Sequence, residues 1–279
     1  MKNDVTLGLV ILLAIVAIGI FGGSKNSQKA GDVQIGQISD NQTTDSRKID
    51  QVQTIGIPKP MPEVKISYVN HFGTASQEYV SLEVHDQSTT TKINITGWTI
   101  KSLPSGTTVT IPKGAELYFT ESQNVSSDVY VRSGDVVYIL TGHSPINFGF
   151  KTNKCSGYTA QFQNFTPNVG LNCPAPRNED QSSIPKINSN DECLDYIESM
   201  PICMIPTQNL PVSFTYECKR FIETKVGYNQ CINLHKEDND FYRPEWHLYL
   251  NRNTTLWKTK REDIVLIDNT GKIVSEIKY

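Results

Sequence analysis

From Glu63 onward, apolar and polar residues alternate in short runs. "VKISYVNHF", "EYVSLEVHD", "INITGWTIKS", "TTVTIP", "AELYFTES" and "DVYVRSGDVVYILTG" are rich in Val, Ile, Thr and Tyr and are bounded by Gly, Pro, Asn and Ser. Period-two alternation over 4–8 residues is the signature of half-buried strands, and several such runs in series predict an antiparallel β-sandwich. Within "GWTIKS", Trp98 and Ile100 share one face while Thr99 and Lys101 take the other. An indole buries a large area, so Trp98 is the expected centre of the core, with Ile100, Val80 and Leu82 around it. Gly97 before it predicts a bulge or the close approach of another segment.

The alternation lapses from residue 144 to 245 and resumes at "RPEWHLYLNR" and "LWKTKREDIVLIDNTGKIVSEIKY". The expected organisation is therefore a first block at 63–143, an insert at 144–245 and closing strands at 246–279. Trp257 and Leu266 from the closing block join the predicted core. Inside the insert, "CSGYTAQFQNFTPNVGLNC" is irregular and aromatic. "NSNDECLDYIESM" and "SFTYECKRFIETKVGYNQCINLH" carry helical spacing, with Ser189 or Asn190 and Ser213 as expected caps.

All six cysteines, Cys155, Cys173, Cys193, Cys203, Cys218 and Cys231, fall inside the insert. An even, clustered set in an exported chain reads as a disulfide framework. No C-x-x-C pair is present, which argues against zinc. Cys155 and Cys173 are expected to close the aromatic loop. If the second helix is continuous, Cys218 and Cys231 lie about 20 Å apart along it and cannot bond. That favours Cys193–Cys231 and Cys203–Cys218 across an antiparallel helix pair. Cys193–Cys203 and Cys218–Cys231 are the rival pairing if the helix breaks at Gly227.

The amino-terminal pattern is different again. Val5–Gly23, "VTLGLVILLAIVAIGIFGG", carries no charge, and as a helix it approaches the ~30 Å hydrocarbon thickness of a bilayer. Its exit, "IGIFGGS", offers no Ala-x-Ala cleavage site, so residues 1–23 are expected to form an uncleaved transmembrane signal anchor; a cleaved signal is the alternative. Residues 24–62 are dominated by Gln, Asn, Ser, Thr and Asp and end in "PKPMP". Too little apolar surface is available there to offset ordering entropy, which predicts a flexible linker. The expected location is membrane-anchored and extracytoplasmic, with the carboxy-terminal bulk outside. A formal net charge of -3 over 279 residues argues against nucleic acid as a partner.

Two blocks carry a family resemblance. The first is "EYVSLEVHDQSTTTKINITGWTIKS" followed by "VTIPKGAELYFTES"; the second is "LWKTKREDIVLIDNTGKIVSEIKY". Together they resemble the lamin tail domain, an immunoglobulin-like sandwich, in the form carried by bacterial envelope proteins. The resemblance implies that the second block supplies the closing strands of the fold. No coiled coil precedes the module, so filament assembly does not carry over.

Candidate chemistry is sparse. The chain contains no G-x-S-x-G, H-E-x-x-H or Walker loop, and no cofactor is implied. "HKEDNDF", His235–Phe241, places an imidazole beside Glu237, Asp238 and Asp240; it reads either as a solvated acidic turn or as a site for a hard cation. Tyr158, Phe162 and Phe165 form either a sugar-stacking platform or the apolar underside of a disulfide loop. His247 falls on the expected polar phase of its strand. The reading is a non-catalytic tethered protein that binds an envelope protein, glycan or wall polymer through its insert and loops. The alternative is a hydrolase or cation-dependent binding protein using the acidic turn.

Overall fold

A computed structural model describes residues 63–85, 91–120 and 123–279. The apolar Val5–Gly23 segment and the polar stretch after it lie outside the described residues. Among the described residues, no helix is long and apolar enough to cross a membrane.

The alternating runs form strands where one face finds a core. β1 (Glu63–Asn70), β2 (Tyr79–His85), β7 (Val136–Leu140), β8 (Phe150–Asn153) and β9 (Tyr242–Tyr249) build a five-stranded sheet in the order β1-β2-β7-β9-β8. β4 (Thr99–Ser102), β5 (Thr108–Thr110), β10 (Asp263–Ile267) and β11 (Ile273–Lys278) build a four-stranded sheet in the order β11-β10-β4-β5. Among the described residues, β3 (Ile93–Asn94) and β6 (Tyr130–Val131) form a further short pair. The protein is thus mainly β, with several sheets.

One apolar cluster lies between the two larger sheets. Val80, Leu82, Val137, Ile139, Trp246 and Leu248 come from the first; Ile100, Ile264 and Leu266 come from the second. Trp98 and Trp257 enter the same cluster from the segments preceding β4 and β10. Each of these side chains is fully or almost fully buried, and burial of one large apolar side chain is worth roughly 1.5–3 kcal/mol. The closing block joins the first block directly: β10 pairs with β4, Leu266 opposite Ile100. Gly97, at φ +84°, makes the turn that delivers Trp98 inward. A β-carbon there would lie 3.2 Å from the Asn269 side chain, whose amide donates to the Thr96 carbonyl.

Three features depart from the sequence reading. The five-stranded sheet is mixed rather than antiparallel, because β9 runs parallel to β7. After β7 the chain turns through β8 and then makes a long crossover, returning as β9 between the two strands it left; a parallel pair requires a crossover of this kind. Second, β8 and the start of β9 belong to the sheet although residues 144–245 read as insert. Third, the described part of "AELYFTES" makes a single isolated bridge, Ala115–Phe150, beside the Gly114–Ser127 bridge that precedes it. Its Tyr118 is buried on the far side of the five-stranded sheet instead.

That far side explains the rest. Leu140, Phe150 and Tyr249 belong to a second apolar cluster, shared with the crossover. β9 is therefore covered on both faces, and residues 246–249 are all buried. His247 consequently lies in the interior, stacked on Phe150 at 5.4 Å and edge-on to Tyr138 at 5.3 Å, not on a solvated face.

The crossover contains α1 (Asp191–Ser199), α2 (Tyr216–Lys225) and α3 (Tyr228–His235). Thr215, not Ser213, caps α2 by accepting the Cys218 N–H. Gly227 at φ +131° separates α2 from α3. All six cysteines are bonded, as Cys155–Cys231, Cys173–Cys203 and Cys193–Cys218. None of the expected pairings occurs. The break at Gly227 puts Cys218 and Cys231 on separate helices; Cys218 meets Cys193 on α1, and Cys231 on α3 returns to Cys155 just beyond β8. Cys173 is left to Cys203.

Candidate functional site

The seam between the crossover and the sheets opens into a cleft of about 620 Å3. Such a volume falls within the ~300–1,000 Å3 of small-molecule sites. One wall is the loop after β7, with Ile146, Asn147 and Phe148; another is the end of α2 and the start of α3, with Ile222, Glu223 and Val226 to Gln230. The 3-10 turn Ser156–Gln161 and its continuation supply Tyr158, Phe162 and Gln163. Residues 205–210 form the remaining side, with Ile205, Gln208 and Leu210.

Local chemistry fixes these walls. Cys155–Cys231 joins the 3-10 turn to α3 across 76 residues of chain. The Gln161 amide donates to the Ile205 carbonyl at 3.0 Å and accepts the Ile205 N–H at 2.9 Å. Asn229 accepts the Thr120 N–H at 3.1 Å and the Thr120 hydroxyl at 3.3 Å. Below the floor, Tyr118 and Tyr228 stack at 4.7 Å, and the Tyr228 hydroxyl donates to the Tyr118 carbonyl while receiving the Asn153 amide.

Burial pushes the Tyr158 phenol up to about 12, with the Glu179 charge adding and a hydrogen bond from the Gly227 backbone opposing. Burial, reinforced by Tyr118, holds the Tyr228 phenol well above its ordinary value. Both stay neutral hydroxyls through the physiological range and offer no general base.

The three aromatic candidates separate. Tyr158 is buried with its edge on the cleft, and Phe162 is 60% exposed on the cleft wall. Phe165 is buried in the second cluster, edge-on to Phe150 at 5.6 Å; it packs the loop onto its host.

The acidic turn is not a convergent ligand set. Lys154 sits between Asp238 and Asp240, at 2.8 Å and 2.6 Å, so an ammonium fills the position a bound cation would need. His235 bridges Glu179 and Asp238, each at 2.9 Å. The hydrogen bond from Lys154, then that from His235, holds the Asp238 carboxyl below its usual range. Among the described residues, no group of three or more His, Cys, Asp or Glu could hold a metal ion. The cation-site alternative therefore loses its geometry.

Several cleft residues escaped the sequence reading. Asn147, Gln208 and Gln230 come from three segments far apart in the chain, and no spacing rule links them. The one local signal was Gly227, whose positive φ turns α3 back toward the sheets. Comparison with protein-family models and with curated proteins finds no match to this chain.

Proposed function

We propose that the chain is a non-catalytic, membrane-tethered, extracytoplasmic protein. In this reading an immunoglobulin-like sandwich of lamin-tail type carries a disulfide-linked crossover, whose cleft binds an envelope partner. The observation that carries it is the cleft at the seam, whose walls are braced by the Cys155–Cys231 bridge and by the paired bonds of Gln161 and Asn229. Supporting it, all six cysteines are bonded, which suits an oxidising compartment. The uncharged Val5–Gly23 segment supplies the tether. The pairing of β10 with β4 suits a module whose two halves come from separate blocks.

The test is capture of envelope components by the intact chain, compared with Phe162→Ala and with reduced protein. Capture weakened by both perturbations supports the reading. Capture indifferent to both places recognition elsewhere and ends it.

A further inference from the structure

We propose that the cleft takes a neutral glycan. This deepens the binding role above and rests on it. Among the described residues no Lys, Arg or His lines the cleft, and Glu223 is the one carboxylate that does. A phosphate, a uronate or a peptide carboxylate would find no counter-charge there and one repulsive neighbour.

The polar lining has a particular character. The side-chain amides of Asn147, Gln163, Gln208 and Gln230 border the cleft and make no hydrogen bond to other described residues. Each presents both donors and an acceptor, matching hydroxyls that also do both. An acyl chain or an apolar peptide face covering the same surface would bury these amides unpaired, at ~1–3 kcal/mol for each group left unsatisfied. The apolar lining then has a role that a purely polar ligand would not use. The exposed Phe162 ring borders the cleft together with the apolar Phe148 and Ile146, and aromatic rings of this kind stack on the C–H side of a pyranose. A saccharide presents both surfaces, hydroxyls at its edge and C–H groups on its face. The paired bonds of Gln161 and Asn229 hold the walls before any ligand arrives, which lowers the ordering cost of binding.

Isothermal titration of the full chain, bridges intact, in a detergent without a sugar headgroup tests this. The probes are cellotetraose, chitotetraose and maltotetraose. The expected result is one-to-one binding of at least one of them, weakened roughly tenfold by Phe162→Ala and also weakened by Gln208→Ala. Leu171→Ala, exposed on the crossover outside the cleft, leaves the affinity unchanged. Circular dichroism melts of each variant check that the fold is retained. Absence of binding for all three oligosaccharides, or affinity unchanged in Phe162→Ala, overturns the glycan. If envelope capture still depends on Phe162 while no oligosaccharide binds or competes, the partner is a protein: the binding role stands and the glycan does not. If capture ignores Phe162 and the bridges, both fall together.

Discussion

Glu78 is fully buried and has no ion-pair partner among the described residues. Its carboxyl group is held by hydrogen bonds. Oε2 accepts the Thr141 hydroxyl at 2.6 Å and the Leu256 N–H at 2.7 Å; Oε1 accepts the Trp257 N–H at 3.1 Å. These bonds pin the start of β2 to the segment that leads into β10, nearly 180 residues later. Replacing Glu78 by Gln keeps the shape but turns one acceptor into a donor. Whichever way the amide sits, at least one backbone N–H then faces another N–H. A buried group left unsatisfied costs ~1–3 kcal/mol, and each hydrogen bond lost takes a further ~0.5–1.5 kcal/mol. The expected loss for Glu78→Gln is therefore about 1.5–4.5 kcal/mol, a large share of the ~5–15 kcal/mol of a folded domain. Urea unfolding followed by fluorescence of the buried Trp98, Trp246 and Trp257 measures it, provided the m-value is unchanged. Hydrogen exchange gives a local readout: the amides of Leu256 and Trp257 exchange faster in the variant. A loss below about 1 kcal/mol, with exchange at both amides unchanged, refutes the clamp.

Two further outcomes are expected. Converting Cys155 and Cys231 together to Ser removes a bridge that spans 76 residues; chain entropy assigns it roughly 4 kcal/mol, and exchange rises in α3 and the 3-10 turn while the β4–β10 pair stays protected. The Tyr158 phenol, pushed up to about 12 by burial, stays protonated in the folded state where an unfolded tyrosine ionises near ~10. Its contribution is complete below the unfolded value and falls as pH rises toward 12, so Tyr158→Phe flattens the alkaline loss of stability measured by denaturant titration; an unchanged alkaline slope contradicts the assignment.

The strands were legible where one face meets a core and the other meets water. β1, β2, β4 and β7 follow runs whose alternation is visible in sequence, and the burial of Trp98 and Ile100 follows from their phase; β10, with Ile264, Val265 and Leu266 buried in succession, does not alternate. β9 was harder. A strand covered on both faces has no polar phase, so His247 reads as exposed although it is enclosed by Phe150 and Tyr138. "AELYFTES" misleads in the opposite sense: it alternates like a strand, but Ala115 and Tyr118 are buried in the second cluster, where Tyr118 lies at the seam. Disulfide connectivity was not legible, because it depends on where α3 goes after Gly227. The cleft shares that limitation. Aromatic content marked Tyr158 and Phe162, yet the facing amides come from segments that only the crossover brings together. In the acidic turn, the decisive residue was Lys154, more than 80 positions from the carboxylates it neutralises.

The cross-linked crossover is seated on the outer face of the five-stranded sheet, and a double-mutant cycle across the seam probes that seating. Tyr118 belongs to the segment between β5 and β6, Tyr228 opens α3, and their rings stack at 4.7 Å. Tyr118→Leu, Tyr228→Leu and the double variant, compared by urea unfolding, should show a coupling energy of about 0.5–1.5 kcal/mol. Additivity of the two single effects to within about 0.3 kcal/mol would mean that the rings do not meet and that the crossover does not sit where described.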